Sequence, residues 1–144
     1  MIKTYPITPA PKPRMTQRDR WAKRPAVMRY WAFCEEVRVR GVQVPVSGAS
    51  IIFILPMPKS WSAKLKREMN GAPHQVRPDM SNLLKALEDA VYGEDSVIWH
   101  YAGLSKLWGY EGEIIVETDD IPSEDVQAQR MKNIMKPRAS DLVI

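Results

Sequence analysis

Arg77–Val97 reads RPDMSNLLKALEDAVYGEDSV, a helical pattern flanked by acids. Leu83, Leu84, Leu87, Ala90 and Val91 fall on one apolar face, and Gly93 follows the last turn. Asp79 stands just before this helix, Glu94 and Asp95 just after it, and Lys85 lies between. Hard oxygen donors at both helix ends, with a lysine between them, suggest divalent-metal chemistry on phosphates. Plainer readings stand beside that one. Aspartate is a common helix N-cap, and an acidic pair after a glycine is a common turn. Asn82, Lys85 and Asp89 share a face, so Lys85–Asp89 also reads as an exposed i, i+4 pair worth roughly 0.3–0.5 kcal/mol.

The spacing sets a geometric condition. A helix over residues 82–91 is roughly 15 Å long, and the linker at 92–94 spans at most about 10 Å when extended. Asp79 and Asp95 of one protomer therefore share a metal only if the helix is shorter or the loop doubles back. Otherwise a partner subunit supplies one of them.

Working outward, the loop GAPHQVRP leads into this segment. Before it, Ser60 is expected to open a short basic helix, WSAKLKREMN, closed by Gly71. ASIIFIL (residues 49–55) is the clearest strand, apolar on both faces and so expected to be central. Pro25 starts a helix that runs to about Arg40 and stops at Gly41, with Val27, Trp31, Cys34 and Val37/Arg38 as its apolar stripe. Cys34 on that stripe reads as a small buried residue rather than a nucleophile. Residues 2–7 read as a first strand, and PAPKPRMTQRDRWAKRP is too rich in proline and charge for core. It is a substrate-facing arm or a solvated loop. Residues 97–107 and 113–118 read as two more strands, paired through a turn at 109–112. Pro122 breaks the chain, and Ser123 caps a polar helix to about Lys136.

The 144 residues, 44% hydrophobic and 26% charged, suit one domain with a single core and exclude a disordered chain. No apolar run approaches a membrane span and no signal peptide opens the sequence. The single cysteine excludes an intrachain disulfide and fits a reducing, cytoplasmic setting. The net charge of +4 is divided unevenly. Residues 1–40 hold ten Lys/Arg against three Asp/Glu, and residues 81–144 hold six against twelve. The basic half favours a polyanion, nucleic acid above all. No glycine-rich phosphate loop is present, and neither His74 nor His100 has a partner at zinc-ligand spacing. Trp31 and Trp99 sit in core-like patterns, which leaves Trp21, in the basic arm, as the tryptophan for base stacking.

The segment RPDMSNLLKALEDAVYGEDSVIWHYAGLSKLW (residues 77–108) resembles the signature of the RusA-type Holliday-junction resolvases, a family often carried by phages and prophages. That signature is a basic residue and proline, then Asp-x-Asp-Asn-Leu-x-Lys, an aspartate four residues after the lysine, and later an Asp-Asp pair entering a strand. The likeness is strong over about residues 72–109. It extends more weakly over 1–118 through PITPAPKPR and PKSWSAKLKREMNGAPH.

The resemblance implies an α/β (α+β) fold: a small mixed sheet of about four strands with flanking helices, with a nuclease domain at 1–121 and a helix and tail at 122–144. It also implies a homodimer that binds four-way DNA junctions and cuts them with Mg2+ or Mn2+, without membrane attachment, in the cytoplasm of a bacterial or phage-infected cell. Asp79, position 81 and Asp95 match the metal ligands, Lys85 the essential lysine, and Asp89 the acidic residue on the helix. Lys12, Arg14, Arg18, Arg20, Lys23 and Arg24 are expected to contact phosphates. Three positions depart from the pattern: Ser81 replaces an aspartate, Glu94 replaces the first aspartate of the later pair, and His100 stands where several members carry another. A hydroxyl ligates magnesium weakly and brings no charge. The expectations are therefore an enzyme compensated by Glu88, Asp89 or Glu94, a slow enzyme, or a protein that binds junctions without cutting them. A small DNA-packing or interaction protein without metal is the remaining alternative.

Overall fold

The computed structural model describes residues 1–14, 24–94 and 96–118. Among these, strand β1 (Ile2–Tyr5) is followed by helix α1 (Pro25–Val39) and strand β2 (Ser47–Pro56). Helices α2 (Ala63–Met69) and α3 (Met80–Tyr92) come next, then strands β3 (His100–Gly109) and β4 (Glu113–Glu117). The result is the expected small α+β fold around a four-stranded mixed sheet, in the order β1-β4-β2-β3.

β2 is central, as ASIIFIL suggests, but its two faces are unequal. Ala49, Ile51, Phe53 and Leu55 are buried, whereas Ser50, Ile52 and Ile54 on the other face are only half-buried. α1 and α3 cover the first face, through Tyr30, Phe33, Cys34 and Val37 from α1 and Leu83, Ala86, Leu87 and Ala90 from α3. The sheet is thus covered by helices on one side, with one core between the layers.

Two sequence expectations are corrected here. β3 and β4 do not form a hairpin, because both pair with β2, β3 parallel and β4 antiparallel. The turn at 110–112 carries the chain across the end of β2 instead, and Gly112 lets it pass Thr8, where a Cβ would come within 2.5 Å of the Thr8 Cα. Nor are Trp31 and Trp99 core residues, since they are 40% and 56% exposed. The buried stripe of α1 runs through Val27, Tyr30, Phe33, Cys34 and Val37.

The helix boundaries follow local chemistry. Pro25 occupies the first turn of α1, and Gly41 adopts φ +65 just past its end. α2 is capped by Ser62, not Ser60: the Ser62 hydroxyl accepts from the Leu65 N–H at 3.1 Å. α3 ends at Gly93 in the left-handed conformation, φ +78, its N–H donating to the Asp89 carbonyl. The final polar helix expected from Ser123 lies outside the described residues, as do Trp21 and most of the basic arm.

Candidate active site at the start of the third helix

Asp79 is delivered to its position by the outer edge of β3. Residues 71–74 run beside that strand. Gly71 N–H donates to the Trp108 carbonyl, Trp108 N–H to Ala72, and His74 N–H to Lys106, all at 2.8–2.9 Å. Lys106 then reaches past the strand edge, and its ammonium donates to the carbonyls of Val76 and Pro78, each at 2.7 Å. The residue after Pro78 is Asp79, so this lysine fixes the chain where α3 begins. Sequence reasoning did not single out Lys106. Its only signal is a lone cation in an otherwise apolar stretch, LSKLW, entering the sheet.

Asp79 occupies the N-cap position of α3, with its carbonyl accepting from the N–H groups of Asn82 and Leu83 at 3.2 Å. Its side chain makes no capping hydrogen bond, and the residue is exposed. The cap reading is therefore right for the backbone and wrong for the carboxylate, which is left unspent at the positive end of the helix. Ser81 and Lys85, four residues apart and both exposed, lie on the same side of the first turns.

The plain reading of Lys85 as half of a Lys85–Asp89 pair does not hold. Asp89 accepts from the Tyr30 hydroxyl of α1 and pairs with Lys12 at 3.3 Å. Lys85 has no ion pair among the described residues. The same contacts place Lys12, whose backbone N–H donates to the Asn82 carbonyl at 3.1 Å. The start of the basic arm is thus laid along α3, with the Lys12 ammonium held by a carboxylate. Arg14 is exposed, and its carbonyl accepts from the Arg24 guanidinium at 2.9 Å. Arg18, Arg20 and Lys23 lie outside the described residues.

Glu88 is buried, at 8% exposure, and accepts from the Tyr101 hydroxyl of β3 at 2.7 Å. Burial foremost, and then the neighbouring carboxylates, raise the Tyr101 and Tyr30 hydroxyls well above the ordinary tyrosine value. Both phenols therefore stay protonated and act as fixed donors joining α3 to the sheet and to α1. At about 1.5 Å per residue, Glu88 and Asp89 lie roughly 10 and 12 Å along the axis from Ser81. Both carboxylates are engaged in fastening the helix. Cys34 is buried and its thiol is pushed up by burial, which agrees with a packing role.

Glu94 is exposed just beyond Gly93, and Asp95 lies outside the described residues. The 13 residues of α3 span about 20 Å, longer than the sequence estimate, so Asp79 and Glu94 stand at opposite ends of the helix. Among the described residues no three His, Cys, Asp or Glu side chains gather as a metal-binding group. Over the first two turns of α3 stand one carboxylate, one hydroxyl and one ammonium, all exposed, the carboxylate and the ammonium without an ion pair among the described residues. These are hard oxygen donors plus a phosphate-seeking cation, and magnesium is commonly held by one or two carboxylates with waters and phosphate oxygens.

The fold is a small α+β domain, and Asp79, Ser81 and Lys85 are exposed along the first half of α3. The model of the family described as endodeoxyribonuclease RusA matches residues 5–118, and the chain belongs to that family. The match covers nearly the whole described domain and agrees with the reach of the sequence resemblance. No curated protein and no solved structure matches the chain. Among the described residues no helix is long and apolar enough to cross a membrane.

Proposed function

We propose that this protein is a divalent-metal-dependent endonuclease of branched DNA, which as a homodimer resolves four-way junctions by paired phosphodiester hydrolysis in the cytoplasm. The observation that carries this reading is the Asp79 carboxylate, exposed at the start of α3 and free of the capping bond its position invites. Asp79 and Asp95 would hold Mg2+ or Mn2+, with Ser81 as a weak neutral donor. Bound there, the cation supplies Lewis-acid stabilisation of phosphate charge and activation of a water. The Lys85 ammonium faces the negative charge that builds on the phosphate during displacement. Lys106 keeps Asp79 in place by holding the two carbonyls before it. Arg14 and the other arm cations take backbone phosphates, which makes binding salt-dependent and indifferent to most of the sequence.

The length of α3 supports a site completed across the dimer, since Asp79 and Glu94 of one protomer stand about 20 Å apart along the helix and Asp95 follows Glu94 in the sequence. Mixing Asp79→Asn and Asp95→Asn subunits then restores one competent site per heterodimer. Absence of restoration rejects the shared site.

Ser81 favours a second reading, a junction-binding protein with little or no cleavage, because Glu88 and Asp89 are committed elsewhere. One assay separates the two. Purified protein is incubated with a labelled mobile four-way junction, with and without Mg2+ or Mn2+. Symmetric nicks establish the nuclease. Tight binding without nicks, with cleavage gained on Ser81→Asp, establishes the second reading. Equal affinity for junction and duplex rejects both.

A further inference from the structure

A cleft of about 660 Å³ opens beside the start of α3, between the first proline-rich segment, α1 and the end of β2. Its inner wall contains Phe33, Leu55, His74 and Trp108, all buried, and five prolines (9, 11, 56, 58 and 78) also line it. The His74 ring lies 4.1 Å from Trp108, which in turn lies 4.8 Å from Trp61. His74 is only 5% exposed, and its Nδ1 has no hydrogen-bond partner among the described residues. An unpaired buried polar atom costs about 1–3 kcal/mol, which a phenylalanine at the same place would avoid. A rotation of the imidazole about Cβ–Cγ exchanges Nδ1 with Cδ2 and leaves the ring's outline unchanged. His74 lines the cleft, and its polar capacity is not used by any of the described residues.

The charge at its mouth is equally specific. Arg29 and Arg77 line the cleft, are exposed, and have no ion pair among the described residues. Glu36, the one acid in the lining among the described residues, is taken by Arg40 at 3.1 Å. Among the described residues the uncompensated charge is positive, on the rim of a largely apolar slot. Arg77 and Pro78 line the slot and Asp79 is the next residue, so an occupant sits beside the candidate cleavage site.

We propose that this cleft takes one unpaired nucleobase of the DNA substrate, next to the phosphate presented to Asp79, an inference that rests on the nuclease reading. The proline and aromatic walls contact the base faces without side-chain ordering. The His74 imidazole pairs with the base edge, and Arg29 and Arg77 take the flanking phosphates. The unpairing this requires is least costly where pairing is already interrupted, as at a strand crossing.

The test uses four-way junctions in metal-free buffer, each carrying a single abasic site at one position near the crossing. Wild-type protein is compared with Ala32→Trp, which fills the cleft from an exposed position on α1. Stacking of one base predicts a loss of about tenfold in affinity at one position for wild type. No such loss is expected for Ala32→Trp, which melts at the wild-type temperature. The proposal is overturned if wild type binds intact junctions tightly yet tolerates every abasic site. It is overturned equally if the position-specific loss persists in Ala32→Trp. A wild-type protein that does not prefer junctions removes the nuclease reading, and this one with it.

Discussion

Replacing Lys106 by methionine keeps the aliphatic stem and removes the ammonium that holds the carbonyls of Val76 and Pro78. Both hydrogen bonds are 2.7 Å long, the one to Pro78 partly buried and the one to Val76 exposed. Hydrogen bonds to a charged group contribute about 1.5–3 kcal/mol, and solvent weakens the exposed one, so the pair is worth about 2–3 kcal/mol. For a domain of this size a loss of that order lowers the melting temperature by about 8–12 °C. The damage is local in origin, and hydrogen exchange locates it. The amides of Asn82 and Leu83, which donate to the Asp79 carbonyl, exchange faster in Lys106→Met. Those of the β2–β4 ladder change only by the global loss. Junction cleavage, where present, falls more steeply than binding, because phosphate contacts on the arm are untouched. A variant that melts within about 2 °C of wild type, with unaltered exchange at the start of α3, refutes the clamp.

Other outcomes follow from the core and from the buried imidazole. Phe53→Ala empties a fully buried site in the central strand and destabilises the protein by about 3–5 kcal/mol, read from denaturant midpoints. A loss under about 1 kcal/mol contradicts the packing described. Burial, and secondarily the Lys106 ammonium, lowers the His74 pKa below its ordinary 6.5. The unfolded chain therefore takes up a proton below about pH 6.5 that the folded chain refuses. Folded stability falls as the pH drops through that value, until the folded His74 itself titrates. His74→Phe should flatten this part of the stability–pH curve, and an unchanged slope in urea midpoints between about pH 6.5 and 5 argues against it.

The elements legible in the sequence are those whose signals are local. The ASIIFIL run, the Pro25 and Gly41 boundaries of α1, and the Leu83–Leu87–Ala90 face ending at Gly93 each state their own structure, and all appear in the fold. Pairing was illegible where it depended on a distant partner. Residues 97–107 and 113–118 look like a hairpin by proximity, yet β2, about fifty residues earlier in the chain, inserts between them. Trp31 and Trp99 read as core because period and hydrophobicity do not say which other elements supply cover. At the site, Asp79 and Lys85 were found through motif and charge, and the structure leaves both side chains free of described partners. The commitment of Asp89 to Tyr30 and Lys12, and of Glu88 to Tyr101, was invisible, because each contact joins two elements whose mutual placement only the fold decides. Lys106 was missed for the same reason.

The strand order also governs the time at which the sheet can form. β2 ends at Pro56, its parallel partner starts only at His100, its antiparallel partner only at Glu113, and Ile2 pairs with Glu117 at the far edge. During synthesis the strand that carries Ile51 and Phe53 therefore waits through more than forty residues with both edges unpaired. Loop closure over such separations slows folding. A bare apolar strand is the segment most able to pair with another copy of itself. Nascent chains of this protein are accordingly most exposed to aggregation between the emergence of β2 and that of β3, and yield on overexpression should respond to translation speed across α2 and α3.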